Sequence, residues 1–309
     1  MRSENQTFVS YFTFLGLTDV REKQIILFAF FLLVYLISII GNLCIMVITI
    51  CTPNLHTPMY FFLWNLSLLD MCHATVTVPK TLFDLFASKK AIPFGGCMSQ
   101  MLFFHFFGSS EIVLLSVMSY DRYVAIGNPL KYTTIMTPKV CVPLALISWT
   151  IGFFHSLIHT VMTARLPFCG PNMVKHFFCD IKPVLTLACT DITFNLKLLI
   201  ALTGGLALTT FILTLIPYIF IGKCLLKIKT AEGRKRALST CSAHLTVVFL
   251  QYGTVIFCYM RPSSENTLDQ DRAAAVVITA ITPALNPIIY SLRNKDIRKG
   301  MLKMIKRYS

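Results

Sequence analysis

The chain alternates long apolar runs with short polar breaks. Seven runs stand out, at roughly 25–50, 58–80, 97–121, 140–162, 197–221, 237–260 and 272–292. Each reaches about 20 residues, the length a helix needs to cross the hydrocarbon of a bilayer. None shows the period-two alternation of a barrel strand, and only helices or closed barrels satisfy their backbone in lipid. The pattern predicts an all-α membrane protein, one seven-transmembrane helix bundle over residues 1–309. Residues 1–24 are a tail before the bundle at 25–292, and 293–309 a tail after it.

Composition supports this reading. Only 14% of residues are charged, against about 25% in soluble chains. The net charge of +14 invites a nucleic-acid reading, but topology accounts for it without nucleic acid. With the N-terminus outside, the inner segments hold three Lys/Arg after the third span, six after the fifth and seven in the tail, sixteen of the chain's 28. This excess on one side sets the orientation. It also suits anionic membrane lipid and an acidic protein partner. Arg2, Glu4, Asp19, Arg21, Glu22 and Lys23 leave no apolar leader before the first run, so the first helix is expected to act as its own insertion signal. Asn5-Gln6-Thr7 then lies outside, as a candidate glycosylation site. Asn65-Leu66-Ser67 falls inside a span and is not expected to meet the transferase.

Eleven cysteines divide by location. Seven fall in spans or on the inner side, where small apolar packing is the expected role. Cys97, Cys169, Cys179 and Cys189 fall on the oxidising side, where cysteines usually pair. Four cysteines allow three pairings, and spacing does not choose among them.

Several polar residues sit where lipid makes them costly. Asp121-Arg122 lies at the foot of the third run, and Asp70 and Glu111 lie deep in the second and third. A carboxylate at mid-bilayer costs at least about 2.5–3.5 kcal/mol, so these groups are expected to do work. His105 lies about 12 Å from Cys97 and about 24 Å from Asp121 along a helix, in the outer third. Gly108, Ser109 and Ile112 share its face at i+3, i+4 and i+7.

The block Met118-Ser119-Tyr120-Asp121-Arg122-Tyr123-Val124-Ala125-Ile126-Gly127-Asn128-Pro129-Leu130 resembles the inner end of the third helix in odorant receptors, a branch of the rhodopsin-like G-protein-coupled receptors. Four more blocks extend the resemblance over nearly the whole chain: Gly41-Asn42, the run Pro58–Leu63, the run Leu238–Leu245 and the run Pro283–Tyr290. Residues 237–260 contain no proline, which favours the odorant branch over amine or peptide receptors. Phe104 stands where amine receptors use an aspartate, and the seventh span has no lysine for a retinal Schiff base. Departures are few. Pro217 precedes Tyr218, Gly127 replaces a common Cys, and Gln251 stands where many members have Phe.

The resemblance implies specific roles. It pairs Cys97 with Cys179 and Cys169 with Cys189, and adds a short amphipathic eighth helix after the seventh span. It places Asp70 and Glu111, with Asn286, around an ion or water site with sodium as the expected cation and no other cofactor. It implies a switch in which Asp121 holds Arg122 at rest and releases it to a G-protein C-terminus, helped by Tyr123, Tyr218 and Tyr290. The basic run Arg234-Lys235-Arg236 is either a membrane anchor or a G-protein contact. The expected ligand site combines Phe104, His105, Gly108, Ser109 and Ile112 with Val255, Ile256, Tyr259, Ile278 and Thr279, apolar with a few hydroxyls as small-ligand sites usually are.

The leading expectation is a receptor for a small volatile odorant, coupled to a stimulatory olfactory-type G protein that raises cAMP, in the plasma membrane of sensory cilia. A rhodopsin-like receptor for a metabolite in another tissue is the alternative. A transporter or channel fits less well, because no inverted repeat is evident. No nucleophile–base spacing or metal-ligand cluster points to an enzyme.

Overall fold

The computed structural model describes residues 9–227, 230–260, 267–293 and 297–300. Seven helices are long and apolar enough to cross a membrane: α1 Arg21–Cys51, α2 Pro58–Phe86, α3 Phe94–Gly127, α4 Pro138–Ala164, α5 Thr193–Leu226, α6 Ala231–Tyr259 and α7 Leu268–Ser291. Most outrun the apolar runs that announce them, since polar residues add turns at either end. Pro58 and Pro138 open α2 and α4 at the first helical position, where the missing N–H has no intrahelical partner to lose. Pro217 lies inside α5, which continues through it.

α3 is the most enclosed helix, and α1, α4 and α5 are among the least. Leu33, Phe154, Leu208 and Phe249 are more than half exposed, as expected of side chains that meet lipid. Two main apolar clusters fill the interior, one toward Arg122 around Leu66, Leu114 and Tyr252, the other at the opposite end around Phe12, Phe104 and Phe178. The family blocks meet in space. Asn42 donates to the Pro283 carbonyl at 3.0 Å, and a Cβ on Gly41 would lie 2.9 Å from Pro287. Asn65 is buried and accepts from the Trp149 indole at 3.2 Å.

One feature adds to the expectations. The segment before α1 carries a strand: β1 Tyr11–Phe14 lies between β2 Ala91–Pro93 and β3 Met173–Val174. It runs antiparallel to β2, with Phe12 opposite Ile92, and parallel to β3, with Phe14 opposite Val174. Phe12 and Phe14 alternate inward and are buried. After α7, residues 297–300 are helical and Ile297 is buried in the main cluster. The rest of the expected eighth helix and Asn5 lie outside the described residues.

Candidate functional site

The disulfide end of the bundle is closed by the loop between α4 and α5. Cys97–Cys179 ties the start of α3 to that loop, with Cα atoms 5.4 Å apart, and Cys169–Cys189 closes the loop on itself at 5.8 Å. Gln100 seats it further, accepting from the Cys179 amide at 2.9 Å while donating to the Val76 carbonyl at 3.0 Å.

Under this loop is a cavity of about 650 Å³, within the range of small-ligand sites. Phe104, Phe178, Ala275 and Ile278 supply apolar wall, while Asp180, Lys182, His176 and Tyr259 supply polar groups. Asp180 is the centre of the polar side. Its Oδ1 faces His105 Nε2 at 2.9 Å and accepts from the Tyr259 hydroxyl at 3.1 Å and the Ile181 amide at 2.7 Å. The imidazole and phenol rings lie 5.6 Å apart. Burial alone would raise the Asp180 carboxyl, but the bond and charge of His105, with His176 and the Ile181 amide, hold it below its ordinary value. An ionised carboxylate therefore lies on the cavity wall. Nearby, Lys182 donates to the Cys258 carbonyl at 2.7 Å.

Only part of the expected ligand set reaches this cavity. Phe104, Tyr259 and Ile278 line it, His105 touches it through Asp180, and Val255 packs in the adjoining apolar cluster. Ile256 is 48% exposed, because one residue along α6 turns it about 100° from Val255 and off the inner face. Ser109 is committed to His155 Nδ1 at 2.9 Å. A Cβ on Gly108 would meet the His73 ring at 3.3 Å. Ile112 belongs to the cluster toward Arg122. Thr279 is fully buried in a wide π-type turn of α7, Val277–Ile281. Sequence spacing placed these residues by helix face alone. Asp180 escaped that reasoning because a loop residue has no helical period to betray it.

In mid-bundle, Asn286 Nδ2 donates to both oxygens of Asp70, at 2.9 and 3.0 Å. Glu111 turns elsewhere. Its Oε1 shares a hydrogen bond with His73 Nδ1 at 3.0 Å, and its Oε2 accepts from Gln251 Nε2 at 2.5 Å. Both carboxyl groups thus face nitrogen donors. Carboxylate and amide oxygens are the ligands a hard cation takes, and Asn286 Oδ1 is buried without a hydrogen-bond partner, so this donor set is compatible with the expected sodium ion. Among the described residues no group of three or more His, Cys, Asp and Glu is placed to hold a metal. Gln251, noted as a departure, proves to be a partner of Glu111.

At the other end, Asp121 and Arg122 make no ion pair among the described residues, contrary to the expected resting lock. Asp121 accepts instead from Tyr132, at 2.8 Å, in the short helix Tyr132–Ile135. Arg122, 8% exposed, points Nη1 at the Met59 sulfur. Tyr218 stacks on His244 and bonds its Nδ1 at 2.8 Å. Tyr290 is buried nearby and Tyr123 packs on Phe220. Lys235 is exposed on α6, while the Arg236 side chain lies outside the described set.

The family model for olfactory receptors matches residues 31–307. Human olfactory receptors 12D1 and 12D3 are each 49% identical over 98% of this chain, covering 95% and 96% of their own length. Mouse olfactory receptor 5T17 is 47% identical over 98% of this chain and 94% of its own. Matched end to end in this way, the chain belongs to the olfactory receptor family, and is a multi-pass G-protein-coupled receptor rather than an enzyme.

Proposed function

We propose that the chain detects a small, largely neutral volatile in the 650 Å³ cavity, with its N-terminus outside the cell, and activates a stimulatory olfactory-type G protein that raises cAMP. The observation that carries this reading is the cavity at the disulfide end, with Asp180 and Tyr259 on its wall and His105 bonded to Asp180. Orientation follows from the Lys/Arg excess on the Arg122 side. The site of action is the plasma membrane of sensory cilia. A ligand acts only through its differential affinity for the resting and coupled states. The cavity contributes apolar burial worth about 25 cal/mol per Å² and a few directional polar contacts.

The test is a cAMP assay of transfected cells across a diverse odorant panel, followed by Ile278→Phe. The larger side chain should weaken bulky agonists by about tenfold, equivalent to about 1.4 kcal/mol, and spare compact ones. Unchanged responses from a well-expressed variant would remove the cavity from the agonist site.

A further inference from the structure

The segment before α1 reaches the cavity. Leu15, the residue after β1, lines it together with Met173, Lys175 and His176 of the loop between α4 and α5. The backbone holds the two segments in register. Thr13 N donates to the Asn172 carbonyl at 2.8 Å, Leu15 N to Val174 at 2.9 Å and Gly16 N to His176 at 3.1 Å. The other edge of β1 is fixed as firmly, with Phe14 N bonded to the Lys90 carbonyl at 2.8 Å. Phe12 and Phe14 anchor the strand from below, at 0% and 4% exposure. Gly16 then turns the chain away with φ +77°, a conformation side chains disfavour. Leu15 is thereby fixed between a paired strand and a glycine turn, on the wall of the cavity.

We propose that this N-terminal segment is a wall of the ligand site, that Leu15 sets the length of odorant the cavity accepts, and that β1 positions the facing loop residues Met173, Lys175 and His176. The proposal rests on reading the cavity as the odorant site. With the Leu15 backbone held to the Val174 carbonyl next to a strand paired on both edges, its side chain keeps a fixed place on the wall, so its volume translates into room for ligand.

The experiment uses the full-length receptor, with surface expression measured alongside cAMP. The probes are the agonist found by panel screening and its shorter and longer straight-chain homologues. Leu15→Ala should weaken that agonist by about tenfold, as expected when a half-buried side chain loses contact worth about two methylenes, and move the optimum to longer chains. Leu15→Phe should move it to shorter ones. Tyr11→Ala, on the exposed side of β1, should leave the rank order unchanged. An unchanged chain-length optimum in both Leu15 variants, while Ile278→Phe shifts it, overturns the proposal but leaves the cavity as the agonist site. No shift in any of the three variants overturns the cavity reading itself. Should Leu15→Ala fail to reach the surface, Leu15→Cys provides the second measurement. Methyl methanethiosulfonate should modify it above the wild-type background, and bound agonist should slow that reaction at least about fivefold. Modification at the same rate with and without agonist would exclude Leu15 from the site.

Discussion

Asp180 illustrates how one side chain can organise a wall. Its oxygens collect the imidazole of His105, the phenol of Tyr259 and a backbone amide, and charge-assisted bonds of this kind are each worth about 1.5–3 kcal/mol. Asp180→Asn keeps the shape but aims one N–H at groups that also donate. Agonist potency should fall at least about tenfold in dose–response assays normalised to surface expression, and an unaltered curve would make the carboxylate incidental. His176, four residues before Asp180, gives a pH signature. Burial pushes its imidazole down to about 4, with Asp180, Asp271 and Arg272 as its charged neighbours. The unfolded chain then binds a proton from about pH 6.5 downward while the folded one does not. Stability from this residue is complete above about pH 6.5 and falls, by about 3 kcal/mol in all, as pH drops toward 4. Thermal unfolding of purified receptor across that window should show it, and His176→Asn should flatten the slope; an identical slope in the variant would assign the loss to other groups. Neither residue was legible as a site member in the sequence. His105 and Tyr259 were, because depth along a helix follows from counting, whereas the return path of a disulfide-bonded loop does not.

The helices themselves were legible as apolar runs, since lipid demands about 20 residues of unbroken hydrophobicity. The small sheet was not, because Tyr11–Phe14 spans one four-residue strand, too short for its alternation to stand out. Close helix contacts were equally hidden. Gly152 of α4 faces α3 so tightly that a Cβ there would lie 2.7 Å from the Phe106 carbonyl oxygen and 2.7 Å from the Ser110 amide. Those are backbone atoms and cannot rotate aside. Small residues let membrane helices approach in this way. Gly152→Ala should therefore push α3 and α4 apart and lower thermal stability by about 1–3 kcal/mol, the usual cost of overpacking. Gly222→Ala serves as the comparison, because its site is open space. Equal melting temperatures for the two variants would contradict the close packing of α3 on α4.

Across the whole molecule, the cavity and the Arg122 end are joined through the middle of the bundle. Glu111 of α3 bonds His73 of α2 and Gln251 of α6, while Asp70 of α2 bonds Asn286 of α7. Arg122 is 8% exposed, with Nη1 against the Met59 sulfur. The Tyr218–His244 bond ties α5 to α6 beside it. The Gln251–Glu111 bond is among the contacts that hold α6 against α3 in this arrangement. Gln251→Leu removes that bond at nearly constant volume and leaves Glu111 its His73 partner. If half of a charge-assisted bond's usual 1.5–3 kcal/mol is specific to the uncoupled state, the equilibrium shifts toward coupling by about three- to tenfold. Basal cAMP per receptor at the surface should rise by that factor, without agonist. Adding Arg122→Ala should cancel the rise, because the same end still has to receive the G protein. A well-expressed Gln251→Leu receptor with basal cAMP at or below wild type would show that the α3–α6 bond persists in both states, and the latch would have to be sought instead at Tyr218 and His244.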